Sequence, residues 1–123
     1  MAFVIIDTSS ILFGIACKKD AFEAAKQRFP KSNAMISIGV IRELRGISEN
    51  RGARGASARA ALETIRHKNV DVDNNSDNVD DWILGKSLEY PDSVVITNDT
   101  ALIKRLKAEG VLALKLTKAG VLK

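Results

Sequence analysis

Short runs of consecutive apolar residues alternate along this chain with longer stretches in which apolar residues recur every three or four positions. Phe3-Val4-Ile5-Ile6 is rich in β-branched types and reads as a strand buried on both faces. Ala34-Met35-Ile36, Val70-Asp71-Val72, Ser93–Thr97 and Val111–Leu116 read as four more strands, that at Val70–Val72 being short and edge-like. Helical spacing fills the intervals. Ser9–Cys17 turns Ile11, Leu12, Ile15 and Ala16 inward, and Ala21–Phe29 carries Phe22, Ala25 and Phe29 on one side before Pro30 ends it. Ile38–Ile47 follows Ser37 as cap and places Val40, Ile41, Leu44 and Ile47 at helical intervals. A polar linker, Asn50–Gly55, precedes an alanine-rich helix at Ala56–Lys68. Val79–Tyr90 and Ala101–Glu109 complete the set, the latter closed by Gly110. Strands alternating with helices predict a mostly parallel sheet with helices on both faces, a three-layer α/β/α sandwich. With no internal repeat or low-complexity segment, residues 1–123 are expected to form a single domain.

Composition narrows the function classes. The hydrophobic share of 46% and charged share of 28% are those of an ordinary globular chain. A net charge of +4 leans towards a polyanionic partner. Aromatic residues make up only 5%, which argues against a platform of stacked bases. The single cysteine, Cys17, rules out an intramolecular disulfide and a zinc cluster, and reads as an inert buried thiol. No basic region precedes an apolar run at the N-terminus and no run is long enough to span a bilayer, so a cytoplasmic location is expected, without membrane association.

The candidate chemistry lies in acids placed just beyond predicted strands. Asp7 follows the first strand directly, Glu43 lies six residues beyond Ser37, and Asp99 follows Val94-Val95-Ile96 by three. Asp80, beside Asp81, opens the helix that precedes that strand. In an open parallel sheet these positions share the rim where ligands bind. Each acid also has an ordinary structural use: Asp7 and Asp99 as helix caps, Asp80 and Asp81 as first-turn acids favoured by the helix dipole, Glu43 as a solvated helix residue. If the four converge, their mutual repulsion calls for a counterion. Oxygen ligands without His or Cys indicate Mg²⁺ or Mn²⁺, which serve phosphate chemistry. Asp71, Asp73, Asp77, Asp92 and Glu109 read as solvated.

The motifs, in order, are Ile5-Ile6-Asp7-Thr8-Ser9; Ile36 to Leu44 with its Glu43-Leu44 pair; Val79-Asp80-Asp81-Trp82-Ile83-Leu84; and Val95-Ile96-Thr97-Asn98-Asp99 with Leu102 and Leu106 beyond. Together they resemble the PIN-domain ribonucleases over nearly the whole length. Ala58 to Glu63 resembles the small archaeal branch related to ribosomal RNA processing factors, with VapC-type toxins the next branch. The resemblance implies a five-stranded parallel sheet and Mg²⁺- or Mn²⁺-dependent cleavage of single-stranded RNA by an activated water, leaving a 5′-phosphate and a 3′-hydroxyl. It implies Asp7, Glu43, Asp80 and Asp99 as the catalytic and metal-ligating acids. Thr8, Ser9 and Asn98 are expected to orient the carboxylates or touch phosphate. Some relatives carry a further acid beside the fourth; Thr100 and Ala101 offer none here.

Basic residues concentrate between the second and third predicted strands, and Arg42, Arg45, Arg51 and Arg54 are the expected RNA-binding residues; a solvated helical surface is the alternative. Trp82 is expected to pack in the interior, an exposed position pointing instead to a dimer contact. A phosphatase of the haloacid-dehalogenase kind needs an acid two residues after the first, where Ser9 stands. A VapC-type toxin and a catalytically inactive RNA-binding module remain as alternatives. The partners to consider are RNA, a second copy of the chain, an antitoxin and a ribosome-assembly partner.

Overall fold

A computed structural model describes residues 3–123. The chain runs β1 (Phe3–Ile6), α1 (Thr8–Ala16), α2 (Ala21–Arg28), β2 (Asn33–Ser37), α3 (Ile38–Ser48), α4 (Ala53–Arg66), β3 (Asp71–Asp73), α5 (Val79–Glu89), β4 (Val94–Ile96), α6 (Thr100–Ala108) and β5 (Leu112–Leu114). The five strands form one sheet in the order β3-β2-β1-β4-β5, and every pairing is parallel. Val4, Ile5 and Ile6 are all buried, so both faces of the central strand are covered, as a run of consecutive apolar residues requires. Among the described residues no helix is long and apolar enough to cross a membrane.

The site is positioned by the way the chain leaves β1. It goes first to one side, to β2, and later returns to the other side as β4. Ile6 pairs with Ile96, so the residues that follow each strand, Asp7 and Thr97, emerge side by side.

Element edges depart from the sequence reading where packing overrides local signal. The glycine-containing linker is shorter than expected, because α4 starts at Ala53 with Gly52 as its N-cap at φ 88°. Gly55 then lies so close to the Asn50 carbonyl that a Cβ there would collide with it. Arg59 of α4 donates to the Ser48 and Asn50 carbonyls at 2.7 and 3.3 Å and clamps this turn. The last strand is shorter than its apolar run. The tail beyond it folds back through a Leu116–Leu122 antiparallel bridge, and both leucines join the core. Gly110 supplies the left-handed turn after α6 at φ 75°. Trp82 is buried, and its Nε1 donates to Asp73 Oδ2 at 2.8 Å. Asp73 is therefore not a solvated acid: it also pairs with Lys86 at 3.2 Å, and the Trp82 bond, then Lys86, hold its carboxyl below the usual range. Cys17 is only partly buried, at the C-cap of α1.

Candidate active site

Asp7 stands at the N-cap position of α1, yet its side chain makes no capping bond. Its Oδ2 instead accepts from Ser9 Oγ at 2.6 Å and from Thr97 Oγ1 at 2.8 Å. The carboxylate is only 5% exposed and is oriented by hydroxyls from two segments that the parallel register brings together. Thr97, wholly buried, is the joint between the segments. Besides donating to Asp7, its Oγ1 accepts the Asp99 backbone N–H at 3.1 Å and lies 3.3 Å from Ser9 Oγ. Asp99 does cap its helix: Oδ1 accepts from the Ala101 and Leu102 N–H groups at 3.0 and 3.3 Å. Capping uses one carboxylate oxygen and leaves the residue on the cleft wall.

These acids border a cleft of about 530 Å³. Asp7, Glu43, Asp80 and Asp99 all line it, together with Thr8, Ser9 and Asn98 from the two loop–helix junctions. Asp80 arrives at the start of α5, which Asn78 caps through bonds to the Asp80 and Asp81 N–H groups. Glu43 reaches the rim from α3, whose N-terminus is fixed by the Ser37 hydroxyl accepting from the Val40 N–H. The electrostatics register the crowding. Burial first, then Asp7 and Asp80, push the Glu43 carboxyl above its ordinary range. Burial first, then Asp7 and Asp99, do the same to Asp80, partly offset by Arg105. Glu43 is exposed as a residue, so its raised pKa belongs to the carboxyl end that faces the other acids.

The donors fit a hard divalent cation by their chemistry: four carboxylates, two of them destabilised as anions by burial and then by their neighbours. Thr8, which also lines the cleft, adds a buried hydroxyl, Oγ1, that has no hydrogen-bond partner among the described residues. Among the described residues no three such side chains stand close enough as drawn to hold one ion in common, so the carboxylates would have to draw inward around it.

The Asn98 side chain, though on the cleft wall, is engaged within the chain: Oδ1 accepts from Ser10 Oγ at 2.6 Å and from the Leu116 N–H at 3.1 Å, and Nδ2 donates to the Leu116 carbonyl at 2.9 Å. Its job is to tie the end of β4 to α1 and to the folded-back tail. Of the four arginines, only Arg54 lines the cleft. Arg42 borders a separate shallow groove with Glu43, and Arg45 is exposed outside both, because the helical turn that aims Glu43 inward directs its neighbours away; Arg51 is exposed in the turn between α3 and α4. Sequence reasoning missed the roles of Thr97 and Arg105. Thr97 could have been found from its place in the Thr97-Asn98-Asp99 run, directly opposite Asp7 in a parallel pairing. Arg105, which pairs with Asp81 at 3.0 Å, had no such signal.

A family model described as a PIN like domain matches residues 4–118. The structure of the PIN domain endonuclease Utp24 aligns with a TM-score of 0.75 at 28% sequence identity, covering 94% of this chain and 85% of that one. A domain of a functionally unknown protein from Methanocaldococcus jannaschii DSM 2661 aligns with a TM-score of 0.61 at 20% identity, covering 95% and 92%, and shows the shared fold alone. Among curated proteins none matches.

Proposed function

The chain belongs to the PIN-like domain family, and on that footing we propose that it is an endoribonuclease that depends on Mg²⁺ or Mn²⁺ and cuts single-stranded RNA. The observation that carries this reading is the arrival of Asp7, Glu43, Asp80 and Asp99 from four separate parts of the chain at one cleft. Likeness to the PIN domain endonuclease Utp24 supports nuclease chemistry, and RNA processing rather than a toxin role is the reading proposed with it.

The four carboxylates are the proposed ligands. When bound, the ion would supply Lewis-acid polarisation of the phosphoryl oxygen and a lowered pKa for water. The chain's own residues do the positioning. Ser9 and Thr97 donate to Asp7 Oδ2, which aims that carboxylate and leaves its second oxygen for the cleft. The Thr97 bond to the Asp99 N–H fixes the spacing of two acids at once. Thr8 Oγ1, buried and unpartnered, is a ready donor to a phosphate oxygen. Arg54, which also lines the cleft, offsets the negative field that would otherwise repel the RNA backbone.

The test is incubation of labelled single-stranded RNA with Mn²⁺, with and without chelator, for the wild type and Asp7→Asn. Cleavage that is lost with chelator and with the substitution supports the proposal. Cleavage that survives both refutes the metal role. Absence of cleavage with tight RNA binding would favour a non-catalytic RNA-binding module.

A further inference from the structure

The cleft is larger than its acids require. Besides the acids it is lined by Leu12, Phe13 and Ala16 of α1, Ile47 of α3, and Arg54 and Ser57 of α4. Leu12, Phe13 and Ile47 pack against the core but are only partly buried, and Ala16 is exposed, so part of this apolar wall is left open to the cleft. The chain has few aromatic residues, and Phe13 is the only one on this wall.

We propose that this wall is a subsite for one unpaired nucleobase of the RNA, with Phe13 as the ring on which the base stacks. The inference rests on the nuclease reading above, because that reading places the phosphate backbone at the acids. Phe13 lies six residues beyond Asp7 on α1, about 9 Å along the helix at ~1.5 Å per residue. That is the scale of one nucleotide, so a strand whose phosphate sits at the acids carries a neighbouring base to Phe13. An apolar ring beside a cation is what a base with its phosphate needs, and Arg54 stands on the same wall as Phe13. A paired base could not lie flat there, so the subsite would select single strands without reading sequence through hydrogen bonds.

The subsite can be tested without cleavage. In chelator, Phe13→Trp reports stacking directly, since the single native tryptophan, Trp82, is buried and bonded to Asp73 and gives a constant background. A short oligoadenylate is expected to quench the new fluorescence, and a sugar–phosphate oligomer of the same length lacking bases is not. Phe13→Leu keeps the apolar volume but removes the ring; Phe13→Ala removes both. Affinity for oligoadenylate is expected to fall about 5- to 100-fold for Phe13→Ala, with most of that loss already present in Phe13→Leu, while affinity for the abasic oligomer stays unchanged. If cleavage is observed, Phe13→Leu should raise KM and leave kcat near wild type. Equal quenching by the two oligomers, or unchanged oligoadenylate affinity in a folded Phe13→Leu variant, would overturn the proposal. The two readings fail separately. A subsite failure leaves wild-type cleavage intact, and a nuclease failure shows as absent cleavage whatever Phe13 does.

Discussion

Thr97→Val removes one hydroxyl and nearly no volume, at the point where the two strand ends of the site are joined. The lost bonds are a donation to the buried Asp7 carboxylate at 2.8 Å and an acceptance from the Asp99 N–H at 3.1 Å. A hydrogen bond to a charged group contributes about 1.5–3 kcal/mol, and a part-buried N–H left without an acceptor adds to the loss, so destabilisation of about 2–4 kcal/mol is expected. For a domain of this size a loss of 1 kcal/mol lowers Tm by about 4 °C, which gives a fall of about 8–16 °C. Thr97→Ser is the control: it keeps the hydroxyl and gives up one buried methyl, a loss of about 1 kcal/mol. Melting followed by circular dichroism, with metal-dependent RNA cleavage measured on the same samples, separates the two. The serine variant should keep most activity, and the valine variant should lose most of it even at temperatures where it is folded. Equal melting temperatures for valine and serine, or full activity in Thr97→Val, would refute the idea that this hydroxyl aims Asp7 and Asp99.

Three further outcomes follow from the same structure. Glu43 and Asp80 titrate above the ordinary carboxyl range, so the folded protein holds these protons more tightly than the unfolded chain. That contribution is fully present in acid and is lost as pH rises through the raised values. Metal-free Glu43→Gln and Asp80→Asn should therefore melt above wild type at pH 7, with the advantage vanishing in acid; variants that melt lower at pH 7 would contradict the crowding. Trp82→Phe should cost about 1–3 kcal/mol by removing the donor to Asp73. Because Asp73 is held below its usual range, that loss should shrink as pH falls through the depressed value, which a pH series of denaturant titrations would show. Gly55→Ala would drive a Cβ into the Asn50 carbonyl and force the α3–α4 turn open, at about 1–3 kcal/mol, with RNA cleavage reduced because Glu43 and Arg54 flank that turn; thermal melts indistinguishable from wild type would count against the tight turn.

What the sequence made legible was whatever depends on period and order. Consecutive apolar residues at Phe3–Ile6 and Val94–Ile96 require burial on both faces, hence parallel strands with helices on each side, hence Asp7 and Asp99 at one rim. What it hid was whatever depends on the direction in which a side chain leaves its helix. Arg42, Arg45 and Arg51 look equivalent to Arg54 in a basic stretch, and only the packing of α3 against α4 separates the one that faces the cleft. Asn98 resembles a ligand-contacting residue until the tail folds back and Leu116 claims its amide. Asp73 reads as a solvated turn acid because its partners, Trp82 and Lys86, come from the following helix. Phe13 reads as one more helix residue, since Ile47, which lines the cleft with it, comes from a distant part of the chain.

The proposed function depends on a divalent cation being held jointly by carboxylates from distant parts of the chain. Anomalous diffraction from crystals soaked in Mn²⁺ tests this directly. The expected result is a peak in the cleft with oxygens of Asp7, Glu43, Asp80 and Asp99 drawn in to about 2.1 Å, the spacing of a small hard cation. A cleft without a peak at saturating Mn²⁺, its acids still apart, would contradict it.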